Sequence, residues 1–138
     1  MIPRLSPTGA ELTLERFTLD PGPALIAATA TGVLAELDNL TFTDNGDQLV
    51  HISGQLSMTT AGGSINTIQL VAITAAGDVI VAAIPYEPSY TGAASFALYP
   101  GFWGIVPSGA TKLELRGTIS GNDMTPATSQ LELTVLKL

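Results

Sequence analysis

The side chains able to do chemistry are few. The one imidazole, His51, stands among Ser53, Gln55 and Ser57 in an alternating stretch, and no Gly-x-Ser-x-Gly turn offers a nucleophile for it to activate. His51 therefore reads as a residue of a solvated strand face. With a single His and no Cys, the chain cannot supply the usual zinc or iron ligand sets, a Cys nucleophile or a disulfide. Hard oxygens gather at Asp38, Asn39, Asp44, Asn45 and Asp47, where they could meet a calcium ion. Their spacing departs from the EF-hand pattern, and turn formation alone calls for these residue types. The twelve acidic residues are otherwise spread singly over outward positions and turns, so nothing selects two of them as the acid and base of a glycosidase. Asn39-Leu40-Thr41 is a formal N-glycosylation sequon with no export signal beside it. No cofactor and no metal is expected, and no enzymatic activity.

The aromatic stretch Tyr86 to Pro107 offers more. It holds all three Tyr and the only Trp, spaced by Pro88, Pro100, Gly92, Gly101 and Gly104. Three roles suit Tyr86, Tyr90, Tyr99, Phe102 and Trp103: capping the open end of a β domain, stacking under sugar rings, or anchoring a protein partner. The neighbourhood Gly101 to Val106 has few polar groups to fix sugar hydroxyls, which favours the protein partner. Tyr86, Tyr90, Phe102 and Trp103 are thus candidate contact residues. The N-terminal MIPRLSPTG adds Ile2, Pro3 and Leu5: its prolines hold the chain extended, and the two apolar side chains could anchor residues 1–9 as an arm on a partner.

The elements that would position these residues are strands. The most demanding is Ile65 to Pro85, which reads as a hairpin turning at Ala75-Ala76-Gly77-Asp78. Its strands are apolar on both faces, Ile65, Val71 and Ile73 against Ile68, Leu70 and Ala72. A hairpin without a wet face must be covered on each side, by its own chain or by another. Before it, Glu11 to Asp20 alternates and then changes phase at Phe17 and Leu19, as a bulge would make it do. Ala24 to Leu37 is read as extended chain from its Thr, Gly and Val content. Leu40 and Phe42 face inward on a strand over Asn39 to Thr43, which Asp44-Asn45-Gly46-Asp47 returns as a hairpin into Gln48 to Thr60. Ala61-Gly62-Gly63-Ser64 is the next expected turn. A short strand around Ala94 to Tyr99, the alternating Thr111 to Ser120, and Ser129 to Leu138 complete the set. Eight or nine short strands with regular turn signals and no credible long helix predict an all-β antiparallel β-sandwich, or jelly-roll-like fold, over residues 10–138 as a single domain.

Composition limits the partners. Of 138 residues only 12% are charged, where about 25% is ordinary for a soluble domain. The net charge is −7, and the five basic residues, Arg4, Arg16, Lys112, Arg116 and Lys137, are scattered rather than clustered. Such a surface suits no phosphate backbone, so nucleic acid is excluded as a partner. No apolar run has the length and continuity of a membrane span or a signal peptide. A chain of such low charged content with two-sided apolar strands is built to press against neighbours, including copies of itself.

A small, Cys-free, Lys-poor β domain with the Pro-containing apolar arm MIPRLSP, two-sided apolar strands and a Thr/Ser/Gly/Ala-rich surface resembles the decoration, or cement, proteins of tailed-bacteriophage capsids. The resemblance covers the style of the whole chain and rests on no specific motif. It implies a non-enzymatic homotrimer that binds the major capsid protein on the outer surface of the virion, stabilises it at subunit junctions, and is assembled in the host cytoplasm. A carbohydrate-binding module and a phage tail or baseplate adhesion domain are the alternatives.

Overall fold

The computed structural model describes residues 15–85 and 89–136, with the backbone alone described for 89–94. Two antiparallel sheets pack face to face. The smaller has the order β1-β11-β4-β8, formed by β1 (Glu15–Thr18), β11 (Glu132–Leu136), β4 (Gln48–Ser53) and β8 (Phe102–Val106). The larger runs β10-β5-β9-β3-β2, from β10 (Met124–Ser129), β5 (Leu56–Thr74), β9 (Lys112–Gly121), β3 (Thr31–Leu37) and β2 (Asp20–Pro21), with β6 (Gly77–Pro85) and β7 (Ser89–Leu98) also paired to β5. The described residues contain no helix. The fold is therefore the expected all-β antiparallel sandwich, with eleven strands in place of eight or nine.

The organising strand is β5. Its first part pairs β10 and β7, and its second part pairs β9 and β6, so two colinear pairs of strands flank it along its length. Inward-facing Leu56, Met58, Ile65, Ile68, Leu70 and Ala72 are fully buried and meet Val50 and Ile52 of β4 and Leu133 and Val135 of β11 in one core. The hairpin from β5 to β6 turns at Ala75-Ala76 as expected.

The sequence expectations fail where the chain changes sheets. The expected turn at Ala61-Gly62-Gly63-Ser64 is strand: β5 runs straight through it, with Gly62 and Gly63 at φ 124° and 151° absorbing a register shift. The break comes earlier, at Gly54 (φ 118°), where the chain leaves the small sheet for the large one. A Cβ on Gly54 would lie 2.2 Å from the Gln130 carbonyl oxygen, so only glycine lets the two crossing segments approach. The phase change near Phe17 has the same cause. After β1 the chain passes through buried Leu19, whose N–H donates to the Leu131 carbonyl, and enters the other sheet as β2. The expected hairpin around Asp44-Asn45-Gly46-Asp47 is absent, because both edges of β4 are taken by β11 and β8 and none remains for Asn39 to Thr43. That segment is a loop, with Leu40 still buried and Phe42 packed edge-on against Phe17 at 5.9 Å. Of Ala24 to Leu37, residues 31–37 are strand and the rest is loop bridged once, at Ile26 to Met124.

Candidate functional site

The outer faces of the two sheets differ in chemistry. On the large sheet, β9 and its neighbours carry an ionic lattice. The Lys112 ammonium lies 3.2 Å from Glu36, 3.2 Å from Asp38 and 3.3 Å from Glu114, while Arg116 lies 2.7 Å from Glu114 and 3.1 Å from Asp78. Hydrogen bonds to the Asp38 and Glu36 carboxylates hold the Lys112 pKa above its ordinary value, against a smaller opposing effect of desolvation. Burial works against the Arg116 charge but is outweighed by hydrogen bonds to Glu114 and Asp78, so its pKa is raised as well. Glu114, 8% exposed, is thus compensated on two sides. Both cations of this face are spent inside the lattice. A hollow of about 580 Å³ beside it is lined by Asp38, Asn39, Leu40, Thr41, Thr111 and Lys112, and its two charged members already pair with each other.

Two of the acids considered for calcium have partners of their own, and the backbone of the Asp44 to Gly46 turn is held by a side chain. Asp47 accepts from the Ser108 N–H at 2.9 Å, Asp38 pairs with Lys112, and the Gln48 amide donates to the carbonyls of Asp44, Asn45 and Gly46. Among the described residues no three His, Cys, Asp or Glu side chains converge on a metal position.

The small sheet presents a more apolar face toward β8, with the charged Arg16 and Glu132 on its β1 side. Its outer face follows from the register of its ladders: Leu136, Leu49 and Ile105 lie side by side across three strands, and Thr134, His51 and Trp103 form the next row. His51 packs its ring on Trp103, with centroids 4.4 Å apart at 41°. Trp103 is 57% exposed and Ile105 59%.

The neighbouring edge is of the same kind. Strand β6 lies across the inner side of β8 at Gly104, where a Cβ would come within 2.4 Å of Val81 Cγ1, so glycine is what permits the two sheets to close there. Around this closure β6 exposes Val79 and Ile80, at 41% and 60%. Trp103, Ile105 and Val79 therefore sit on the two strands that meet at this margin of the sandwich, whereas Ile80, in register with Val71 and Glu114, lies on the large sheet's outer face; among the described residues β8 and β6 each pair on one side only. The hairpin read as lacking a wet face is covered along β5, while β6 leaves part of its apolar surface open.

Of the candidate contact residues, Trp103 lies in this margin. Phe102 alternates to the opposite face, is 7% exposed and belongs to the core, so its ring offers a partner no surface. Ile2, Pro3, Leu5 and the arm 1–9 fall outside the described residues, as do Tyr86 and the side chain of Tyr90. Ile105, Leu49 and Leu136 were missed by sequence reasoning. Strict alternation in LVHIS, FWGIV and ELTVL put them outward, but only the pairing of β11, β4 and β8 brings them together.

No protein-family model matches the chain, and no curated protein matches its sequence. Solved structures do resemble it. A chain of the T13 IBDV viral particle aligns with a TM-score of 0.57 at 14% identity, covering 95% of this chain and 34% of that one. A chain of infectious bursal disease virus, Gx strain, aligns with a TM-score of 0.56 at 17% identity, covering 95% of this chain and 35% of its own. This chain spans about a third of the length of those viral chains, and at such identities the likeness is one of fold.

Proposed function

We propose that this chain is a non-enzymatic structural protein of a viral capsid, seated on the outer surface and stabilising it at subunit junctions. The observation that carries the reading is the apolar margin of Trp103, Ile105 and Val79 on a chain of which only 12% is charged and whose Lys112 and Arg116 are paired within an ionic lattice. Such a margin costs little to desolvate against another protein, and aromatic and branched side chains at its centre supply binding energy. The fold likeness to chains of viral particles supports the same reading.

The test is co-sedimentation of the purified protein with empty shells of a viral major capsid protein. Saturable binding that raises the temperature at which shells disrupt is expected. Absence of binding at micromolar protein, together with a shift of Trp103 fluorescence on titration with polysaccharides, would replace this reading with the carbohydrate-binding one.

A further inference from the structure

The strands that end each sheet are not equally defended. β1 carries Glu15 and Arg16, β2 carries Asp20 and Pro21, β6 carries Asp78 and Pro85, and β10 holds Pro126 beside a register shift. Charges, prolines and bulges on an outer strand are what prevents it from adding another strand. β8, Phe102-Trp103-Gly104-Ile105-Val106, has none of them and pairs β4 in unbroken register. Among the edge strands with described side chains it is the undefended one.

Its sequence is also self-complementary. Turn a second copy by half a revolution about Gly104 and lay it antiparallel alongside: Gly104 meets Gly104 of the second copy, Trp103 meets its Ile105, and Phe102 meets its Val106. The first pair of side chains sits on the outer face and the second on the inner face, because alternate residues of a strand share a face. An aromatic ring opposite a β-branched side chain is a favourable cross-strand neighbour. Exposed Trp103 and Ile105 would each gain a cover that their own chain does not provide.

Charge selects the same place. Each chain carries a net −7, so two copies repel over most orientations, whereas the rows Leu136-Leu49-Ile105 and Thr134-His51-Trp103 hold no carboxylate.

We propose that two copies of this chain associate through β8, edge to edge and antiparallel about Gly104, joining their small sheets into one continuous sheet. The contact is two-fold and departs from the trimer implied by the resemblance. It concerns the free protein and does not depend on the capsid reading: failure to bind shells would leave it standing, and a monomeric protein would leave shell binding standing.

The test is the mass of the wild-type chain in solution over a dilution series, by light scattering or sedimentation equilibrium, read together with the emission of Trp103, the only tryptophan. The expected mass at the concentrated end is twice the 14.2 kDa of one chain, with emission moving to shorter wavelength as the ring leaves water. Ile105→Lys should give a single-chain mass and fixed emission with an unchanged far-UV spectrum. Leu25→Lys, at an exposed apolar residue away from β8, should still dimerise. A wild-type mass of one or three chains, a doubled mass without an emission shift, a dimer surviving in Ile105→Lys, or dissociation in Leu25→Lys would each overturn the proposal.

Discussion

The closure of the sandwich at Gly104 can be tested by adding one methyl group and then removing its obstacle. In Gly104→Ala the new Cβ arrives 2.4 Å from Val81 Cγ1, 3.4 Å from the Val81 carbonyl oxygen and 3.6 Å from Ala82 Cβ. Only the first contact is untenable, and it is with a side chain held in a stiff β-branched rotamer. Overpacking of this kind costs about 1–3 kcal/mol. The loss of glycine's freedom in the unfolded chain returns roughly 0.4–1 kcal/mol, since Gly104 needs no positive φ. The net expectation is a loss of about 1–2 kcal/mol. Val81→Ala alone removes two methyl groups from a partly buried side chain and should cost about 1 kcal/mol. Combined, the two changes relieve each other, because truncating the Val81 side chain vacates the volume that the new methyl group on Gly104 enters. The double variant should be more stable than the sum of the singles predicts by about 1–2 kcal/mol, a coupling well outside the few tenths expected of independent sites. Urea unfolding measures this from midpoints at constant slope, at roughly 1–3 kcal/mol per molar denaturant. Additivity within about 0.5 kcal/mol would refute the contact of β6 with β8 on which the apolar margin depends.

Gly54→Ala should destabilise by about 3 kcal/mol or more, from the positive φ and from a Cβ set against the Gln130 carbonyl oxygen at 2.2 Å, again read by urea unfolding; a loss below about 1 kcal/mol would contradict the sheet crossing. Lys112→Met removes the counter-charge shared by Glu36, Asp38 and Glu114, of which Glu114 keeps Arg116, and should cost about 1–2 kcal/mol at neutral pH after allowing for partial exposure. Because the folded state raises the Lys112 pKa above its ordinary 10.5, that contribution is complete below this value and fades only as pH climbs through the raised one, so the difference between wild type and variant should stay level up to about pH 10 in thermal melts. Thr29→Gly, at φ 65° in the turn closed by the Ala30 N–H to Ala27 carbonyl bond, should stabilise by about 0.5–1 kcal/mol, because a β-branched residue is strained there; a lower melting temperature would argue against the turn.

What the sequence discloses is set by the range of each signal. Alternation is local, so the inward and outward sides of Thr111 to Ser120 and of Gln48 to Ser53 were legible, although Glu114, expected to face water, is buried on the outward side under its ion pairs. Pairing is not local. The signal Asp-Asn-Gly-Asp marks a chain reversal in a hairpin and a loop leaving one sheet for another equally well, and only the occupation of both edges of β4 decides between them. Glycine carries the same ambiguity. At Gly62 and Gly63 the pair serves a register shift within a long strand, whereas the lone Gly54, with no companion to advertise a turn, is where the chain breaks. The candidate surface was half visible for the same reason: the Trp and its neighbours draw attention by type, yet alternation in FWGIV separates Phe102 from Trp103 by the full thickness of the sheet.

The difference between the two outer faces also gives the domain an orientation. Apart from Ile80 on β6, the large sheet's outer face around β9 carries polar side chains, with its charges paired and its buried carboxylate compensated, and loses little by remaining in water. The small sheet's outer face places leucine, isoleucine and tryptophan in adjoining rows that end at the undefended edge of β8, with Arg16 and Glu132 kept toward β1. In water those side chains gain nothing, and a sequence selected only for solubility would replace them at no cost to the core, since they point away from it. Their presence on one side, with the ionic lattice on the other, is explained if the small-sheet side meets protein while the lattice side faces solvent. The orientation has a direct consequence for chemical labelling: carboxyl-directed reagents should modify the lattice acids Asp38 and Glu36 to the same extent in free and assembled protein, whereas assembly should protect Trp103 from oxidation. Protection of the acids with Trp103 left reactive would turn the domain over and place the interface on the lattice.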